Sequence, residues 1–572
     1  MRKLSLLCRS CVLLFAASAG LAQQQPTSTT SVDAQVLEPG KPIERQINSV
    51  ETHAYKIALN AGQYLDAAVN QRGIDVVVRV FAPEGEKIAD IDSPNGKQGD
   101  EPVALAAKAT GTYRIEVSSL EKVITGPAGR YEIRINEILS AEQYAARLAE
   151  KKQRRDAVIA ALKANAIPID TVEAGNGFED LKPLKRIFKD VRFVGLGEET
   201  HGTREFFQFK HRMLEFLVKE MGFRVFAIEA SYSACQNIND YVMGKMDDGA
   251  KALDSQGFWT WNTKEVRAMM DWMRTYNASV PAERKVKFAG FDIQVNETAQ
   301  ARLLDYLKRV APERVADTEA FFKIDMDTLV FTSFTGKGDA VKDAQAKLKT
   351  LKDQYYELLV FLEISAPVLT QKSSRTEYEQ MREYARVLAQ YVDVYSRPKF
   401  PGPLRDIYMA DNFRRLVDRE PAGTRFVVWA HNGHIRTSPE QSSLGTQLRR
   451  LYGHEYYAVG FSFNQGSFQA IETPPRDPQQ MMPIAFTVKP APIDSVDWFL
   501  AQTEAKTGFV DLRSASKNKP IAEWIAVAHS MRAIGATFNA KDENRSSVPT
   551  TLKQSFDGLF FIDTTTRARP NH

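Results

Sequence analysis

The sequence predicts an α/β fold: a parallel-rich sheet with flanking helices and a helical insertion, preceded by a small all-β sandwich domain. Two observations predict the sheet. Short apolar runs end abruptly at polar residues, and amphipathic segments of helical period separate them, as in βαβ units. A third observation predicts the sandwich, because short alternating runs with turn signals recur near the N-terminus.

The composition is that of a globular chain with more than one domain. The 572 residues exceed one ordinary domain, and 43% are hydrophobic and 26% charged. The formal net charge is only +4, and the lysines and arginines are dispersed among acids. We therefore expect no nucleic-acid partner. The sequence leaves the oligomeric state open.

The first residues are similar to an export signal. Arg2 and Lys3 precede an apolar stretch, and the small residues at positions 20–22 fit a cleavage site. This stretch is too short and interrupted for a transmembrane helix, and no later run reaches spanning length, so we expect no stable membrane insertion. We predict a signal peptide over residues 1–22, cleaved near Ala22, and a periplasmic or secreted protein.

Residues 31–138 are predicted to form a β-sandwich accessory domain, with strands at 54–59, 63–69, 75–81, 112–117 and 131–135. The stretches 62–65 (GQYL) and 111–117 (GTYRIEV) resemble the pre-peptidase C-terminal type of sandwich found on secreted bacterial hydrolases. The resemblance implies a folding or docking module, or a carbohydrate- or polymer-binding one. A capping-box pattern from Ser140 to Gln143 begins a linker helix, predicted over residues 139–168.

The remaining residues, 169–572, are predicted to form the α/β domain, organised around residues 191–230. An apolar run is followed by the polar loop Gly197-Glu198-Glu199-Thr200-His201-Gly202-Thr203 and by an amphipathic helix ending near Gly222. A second apolar run then ends at Glu229. Ligands of parallel sheets bind beyond the carboxyl ends of the strands, so Glu198, His201 and Glu229 are candidate site residues.

Later strands repeat this arrangement. The run 287–291 ends at Asp292, the run 425–430 leads into His431 and His434, and 456–463 and 558–563 are two further strands. A helical insertion is predicted at about 298–396, covering the cleft, and another helix follows it.

The residue types at these strand ends allow two chemistries. Imidazole beside carboxylate can deprotonate water, with a second histidine or an arginine stabilising the oxyanion. The same side chains are ligands of Zn²⁺ or another divalent ion. The sequence has no Gly-x-Ser-x-Gly elbow, no His-Glu-x-x-His helix and no Walker loop, which disfavours serine, thermolysin-type and nucleotide chemistry.

Together these residues resemble the erythromycin esterase family over about 145–570. The similar stretches are Gly197–Thr203, Lys210-His211-Arg212, Ile228-Glu229-Ala230, Gly290-Phe291-Asp292, Arg405-Asp406 and Trp429-Ala430-His431-Asn432-x-His434. The chain departs from the family at Glu199, where alanine is frequent, and this adds a charge beside the site.

The resemblance implies an ester or lactone hydrolase that uses activated water, with no covalent intermediate, no cofactor and no metal ligands, and the N-terminal signal pattern predicts that this hydrolase is exported. It implies that His201, Glu198, Glu229 and His431 are catalytic, with His201 the general base. Arg405, His434, Asp292 and Lys210 are the predicted substrate-binding residues. The expected substrate is a small molecule or an acylated polymer. Macrolide inactivation occurs in the family, but the sequence does not specify it.

Two alternatives remain open at this stage. One is a metal-dependent hydrolase or peptidase at the same site. The other is a non-catalytic protein that binds haem or polysaccharide. The proposed water activation requires that His201, Glu229 and His431, which are more than two hundred residues apart at their extremes, converge in one crevice.

Overall fold

The computed structural model describes residues 34–93, 95–120, 129–397, 402–474 and 482–571. The chain divides into two compact units, which meet in the sequence between Ala157 and Val158. The predicted signal peptide, residues 1–22, lies outside the described residues.

The first unit is an antiparallel β-rich domain of two sheets. One has the strand order β1-β3-β8-β5-β6 and the other β2-β9-β4-β7. The strands are β1 (Gln35–Val36), β2 (Ile43–Ile47), β3 (Thr52–Leu59), β4 (Tyr64–Arg72), β5 (Val76–Phe81), β6 (Lys87–Ile91), β7 (Gln98–Ala106), β8 (Gly111–Ser119) and β9 (Gly129–Leu139).

Alternation of apolar and polar residues builds this domain. In β8, Tyr113, Ile115 and Val117 are buried, while the residues between them face outward or are half-buried. Both sheets contribute residues to one hydrophobic core that contains no residue of the second unit. The domain is the all-β part that the sequence predicts.

Helix α1 (Ala141–Asn165) follows β9, contains the division between the two units, and begins at the predicted capping box. The Gln143 N–H donates to Ser140 Oγ at 3.1 Å, and the Ser140 N–H donates to Gln143 Oε1 at 2.9 Å. These two bonds satisfy backbone donors that the first turn of a helix leaves free.

The second unit is built on a sheet in which six neighbouring strands are parallel, in the order β13-β12-β14-β11-β15-β21. Strands β17 and β10 extend it antiparallel beyond β21, and β16 pairs with β15. The strands are β10 (Ala166–Pro168), β11 (Phe193–Leu196), β12 (Val225–Ser231), β13 (Lys287–Asp292), β14 (Phe426–Trp429), β15 (Tyr456–Glu472), β16 (Ile484–Val488), β17 (Thr507–Asp511), β18 (Ala528–Arg532), β19 (Thr537–Phe538), β20 (Ser547–Thr551) and β21 (Gly558–Thr565).

Every residue of β11, β12 and β14 is buried, as expected for parallel strands covered on both faces. The helices are α2 (Lys182–Ile187), α3 (Arg204–Met221), α4 (Cys235–Val242), α5 (Gly249–Asp254), α6 (Lys264–Ser279), α7 (Glu297–Val310), α8 (Val315–Phe322), α9 (Met326–Thr335), α10 (Asp339–Ile364), α11 (Ala366–Lys372), α12 (Arg375–Tyr395), α13 (Gly402–Asp418), α14 (Asn432–Ile435), α15 (Leu444–Tyr452), α16 (Val496–Ala501), α17 (Leu512–Ala515), α18 (Lys519–Ala526) and α19 (Leu552–Ser555). Within the described part of the chain, none of the helices has the length and apolar character of a bilayer span.

Helices α7 to α12 form the predicted helical insertion, with a hydrophobic core of their own. This core includes Tyr232, which directly follows β12, and its ring contacts that of Tyr384 in α12. Arg419 donates to the Tyr232 hydroxyl. The insertion therefore packs beside the carboxyl edge of the sheet. That it covers the cleft stays a prediction.

Candidate active site

The loop after β11 forms the centre of the candidate site. Strand β11 lies between β14 and β15, so the loop rises from the middle of the sheet. Gly197 allows it to pass close to α14, since a Cβ there would stand 2.1 Å from Asn432 Oδ1. Gly202 is equally constrained, with a Cβ position 1.9 Å from the Gln469 carbonyl oxygen.

His201 and Glu198 form a hydrogen-bonded pair on this loop. His201 Nδ1 lies 2.6 Å from Glu198 Oε1, so the carboxylate fixes the orientation of the ring. The carboxylate is fully buried, whereas the His201 side chain is 13% exposed. Among the described residues, His201 Nε2 has no hydrogen-bond partner, which leaves it available to an incoming molecule.

Lys210 and Trp429 hold the other oxygen of Glu198. Lys210 Nζ donates to Glu198 Oε2 at 2.5 Å, and the Trp429 indole N–H donates to the same oxygen at 2.7 Å. Burial raises the pKa of Glu198, but Lys210 and His201 lower it by more, so its net pKa lies below the ordinary value. Glu198 is therefore ionised at neutral pH.

Lys210 itself has no contact with solvent. Its Nζ lies 4.2 Å from the ring centroid of Trp429 and 5.0 Å from that of Phe461. Burial lowers the pKa of Lys210 to about 8, against the opposing effect of Glu198. The sequence predicts a substrate-binding lysine here, but the structure places Lys210 beneath Glu198, where it positions the carboxylate instead.

Glu229, near the end of β12, contacts two other segments: the one after β14, which contains His431, and helix α13, which contains Arg405. Its Oε2 accepts the His431 backbone N–H at 3.0 Å, and its Oε1 accepts from Arg405 at 3.0 Å. His434 Nε2 lies 3.2 Å from the same Oε1. Burial raises the pKa of Glu229, but His434 and Arg405 hold it well below its ordinary value.

A second ionic cluster surrounds Arg405 on α13. Its guanidinium donates to both oxygens of Asp292, at 3.0 and 2.7 Å, in a bidentate pair. Arg405 Nη1 lies 3.3 Å from His434 Nε2, and His434 Nδ1 lies 2.8 Å from Asp406 Oδ1. Burial lowers the pKa of His434, but Asp406 and Glu229 raise it to about 10, so the ring is an imidazolium.

Burial favours the neutral form of His431. Its Nδ1 accepts the Gly433 N–H at 3.1 Å, and its Nε2 lies 3.3 Å from the Glu199 carbonyl oxygen. This pairing assigns the proton to Nε2. Burial lowers the pKa of His431 to about 3, helped by His201 and His434. The His201 and His431 rings lie 5.2 Å apart, centroid to centroid.

Glu199 turns away from the site into the interior. Its Oε2 accepts the Phe463 N–H at 3.1 Å, and its Oε1 is buried without a hydrogen-bond partner. Burial and the neighbouring Asp497 raise the pKa of Glu199 well above its ordinary value. The sequence predicts an added charge at this position, but burial and Asp497 disfavour ionisation of the side chain.

The structure brings all eight candidate residues into one chain of contacts. It runs from Lys210 through Glu198 and His201 to His431, and from there through Glu229 to Arg405, Asp292 and His434. Asp292 is fully buried against Arg405, so it positions the guanidinium rather than meeting a ligand.

Three further residues were not among the candidates. Trp429 anchors Glu198, and Asp406 pairs with His434. Trp261 donates its indole N–H to the Glu229 carbonyl oxygen at 3.1 Å, and its ring meets that of His201 edge to face. Trp429 and Asp406 lie within the stretches that resemble the erythromycin esterase family, and this is the signal that could have identified them. Trp261 has no such signal.

The arrangement separates two functions within one site. The His201–Glu198 pair can accept a proton, while Arg405 and His434 are partly exposed cations, at 14% and 21% of their side-chain surface. Groups of three or more histidine, cysteine, aspartate or glutamate side chains arranged to hold a metal ion do not occur in the described part of the chain.

Comparison with known proteins identifies the family of the chain. A model of the erythromycin esterase family matches residues 218–565, more than half of the chain. The match includes Glu229, Asp292, Arg405, His431 and His434, whereas Glu198, His201 and Lys210 precede it.

The chain is 27% identical to erythromycin esterase type II from Escherichia coli over 338 residues, 54% of this chain and 78% of that protein. It is 25% identical to the putative hydrolase YbfO of Bacillus subtilis over 430 residues, 70% of this chain and 90% of that protein. A crystal structure of a Bacillus cereus protein, 26% identical, superposes with a TM-score of 0.60 over 73% of this chain and 99% of that one. The chain belongs to the erythromycin esterase family.

Proposed function

We propose that this ester or lactone hydrolase cleaves its small-molecule substrate with a water molecule that His201 deprotonates. The observation that carries the proposal is the pairing of His201 Nδ1 with a buried, ionised Glu198 while Nε2 remains unpaired among the described residues. A base oriented in this way accepts a proton at Nε2 and is stabilised as an imidazolium by the carboxylate behind it.

The second half of the reaction needs a group that stabilises the negative charge that forms on the carbonyl oxygen. Arg405 and His434 are charged donors, are partly exposed, and are held in place by Asp292, Glu229 and Asp406. Donors whose geometry is fixed before the reaction stabilise such an oxyanion most effectively. The hydroxide attacks the carbonyl carbon, and the tetrahedral intermediate collapses with cleavage of the carbon–oxygen bond to the leaving group. The His201 imidazolium returns its proton to the departing alkoxide, so the acid and the alcohol are released without a covalent enzyme intermediate.

The central test is His201→Asn, measured on whichever compound of a panel of acylated sugars, lactones and macrolides the wild type cleaves. We expect kcat/KM to fall by about 10²–10⁴-fold, the contribution of a general base. His454→Asn is the matched control, because this exposed histidine lies in the turn before β15 and outside the site. Full turnover by the His201 variant would disprove the proposal.

A metal-dependent reaction at the same site is a separate outcome of this experiment. We expect wild-type turnover to survive dialysis against a chelator. Loss of activity on chelation, with recovery on adding Zn²⁺ or Mn²⁺, would replace the water-activation mechanism with a metal-assisted one.

We further propose that the enzyme acts after export. The support is the basic start, apolar stretch and small-residue site within residues 1–22. When the full chain is expressed in a bacterium with an intact secretory pathway, intact-mass analysis of the extracytoplasmic fraction should give a mature chain that begins at Gln23. Recovery of the unprocessed chain in the cytoplasm alone would contradict this.

A further inference from the structure

Residues 566–571, which we name the strap, run across the loop that carries His201. The strap begins directly after the last residue that the family model matches. The Ala568 N–H donates to the Gly202 carbonyl at 2.8 Å, and the Arg204 N–H donates to the Thr566 carbonyl at 2.9 Å. Arg567 also pairs with Thr203 in an isolated β-bridge. The strap therefore pairs with Gly202, Thr203 and Arg204, the three residues directly after His201.

The same strap continues to the segment that carries Trp261. The Lys264 N–H donates to the Arg569 carbonyl at 2.8 Å, and the Asn571 N–H donates to the Asn262 carbonyl at 3.1 Å. Thr263 and Pro570 form a second isolated bridge. Trp261 meets the His201 ring and binds the Glu229 carbonyl, so both strapped segments face the site.

Two glutamates, in the first turns of α3 and α6, accept hydrogen bonds from the strap. Glu205 accepts the Thr566 N–H at 2.7 Å through one oxygen and the Thr566 hydroxyl through the other. Glu265 accepts the Arg569 N–H at 3.1 Å and its Nε–H at 2.7 Å. The Glu265 side chain is only 1% exposed and also lies 3.7 Å from Arg204 Nε. A buried, charge-paired carboxylate of this kind restricts the geometry of its partners.

From these contacts we infer that Glu265 and Glu205 are positioning residues of the hydrolase, which act by clamping the strap across the loops of His201 and Trp261. They touch neither substrate nor the reacting atoms. The clamp fixes where His201 Nε2 stands relative to Arg405 and His434. The effect on turnover rests on the proposed function, whereas the clamp itself can be tested without a substrate.

The experiment compares Glu265→Gln, Thr566→Val and a variant lacking residues 566–572 with the wild type. Glu265→Gln keeps the shape but removes the charge that holds Arg204 and Arg569. We expect it to lower kcat by about tenfold while KM stays within about twofold, because displacement of a reacting group affects the transition state most. Thr566→Val should act in the same direction, and Thr566→Ser, which restores the hydroxyl, should recover wild-type kcat.

Hydrogen exchange in the absence of substrate provides the second readout. We expect faster exchange of the Arg204 and Lys264 amides in Glu265→Gln and in the shortened chain. Glu297→Gln is the control, since Glu297 is an exposed acid in the first turn of α7 and outside the strap. It should change neither readout.

Wild-type kcat and exchange in both Glu265→Gln and Thr566→Val would overturn the inference. A loss of kcat that equals the loss of folded protein, with exchange unchanged in the folded fraction, would overturn it too. If the strap variants accelerate exchange but the wild type cleaves nothing in the panel, the clamp stands and the proposed hydrolysis fails. If His201→Asn is inactive and the strap variants are impaired in neither kcat nor exchange, the proposed hydrolysis stands and the clamp fails.

Discussion

Two adjacent glutamates in one loop have pKa values that are shifted in opposite directions. Glu198 is paired with Lys210, His201 and Trp429, which stabilise its charge, whereas Glu199 is buried beside Asp497. Burial disfavours the charge in both cases, so the neighbours decide the direction of the net shift. One residue thus orients the His201 ring, while the side chain of the next one lies in the interior, where ionisation is disfavoured.

This difference predicts opposite effects for two matched substitutions. Because the pKa of folded Glu199 lies above 4.5, the wild type loses stability as pH rises above 4.5, where the unfolded chain releases a proton that the folded chain retains. Glu199→Gln removes this loss, so at pH 8 we expect its Tm to be higher than that of the wild type by about 2 °C or more.

Glu198→Gln is the matched comparison. The pKa of folded Glu198 is lowered, so its stabilisation is present above the unfolded value and is lost as pH falls through the folded one. We expect this variant to be less stable than the wild type at pH 8, with a difference that shrinks in acid. Calorimetric scans from pH 4 to pH 8 measure both series. A Glu199→Gln variant less stable than the wild type at pH 8 would contradict the assignment.

At this scale the sequence identified the types of the site residues better than their tasks. His201, Glu229 and His431 were recognisable because they follow buried runs. The roles of Lys210 and Asp292 were not, since the same charged side chain can face a ligand or a neighbouring acid. That choice depends on which residues of α3, β13 and α13 meet in space, and no local pattern contains this information.

The strands of the sheet could be predicted from the sequence wherever both of their faces are buried. The apolar runs predicted β11, β13 and β14 to within two residues at each end, and β12 to within three. Strands β10, β16 and β17 were not predicted. They are short, join the sheet antiparallel, and include partly exposed positions, so their sequences lack a continuous apolar run.

The contact between α14 and β15 predicts that a methyl group added at Gly197 destabilises the fold. A Cβ at Gly197 would stand 2.1 Å from Asn432 Oδ1, an atom that accepts the Phe461 N–H at 3.0 Å. Gly197→Ala must displace Asn432 and break the bond between α14 and β15. We expect a loss of about 1–3 kcal/mol in the free energy of unfolding.

Urea unfolding of this variant measures its free energy of unfolding. Its kcat on whichever panel compound the wild type cleaves reports any shift of His431, which is adjacent to Asn432 in the sequence. An unchanged midpoint would show that α14 can move away without cost, contrary to the structure.

The whole molecule consists of two units with separate hydrophobic cores. The core of the β-sandwich draws only on residues before Leu139, and the cores of the α/β unit draw on residues from Val158 onward. Units with their own cores can unfold independently. Calorimetry of the full chain should therefore show two transitions.

Paired core substitutions assign these transitions. Ile115→Ala in β8 and Val428→Ala in β14 both truncate fully buried side chains. Each should lower one transition only, with a cost of about 1–5 kcal/mol. A single transition that both substitutions lower equally would show that the two units unfold as one.

The position of β11 has a consequence for how activity arises during synthesis. This strand follows α2 in the sequence, yet its two neighbours, β14 and β15, begin at Phe426 and Tyr456. Until the ribosome has released more than two hundred further residues, the nascent chain cannot assemble the centre of the sheet or bring His201 to Arg405, His431 and His434. Translation products that end before β15 therefore lack a neighbour of β11 and cannot complete the centre of the sheet.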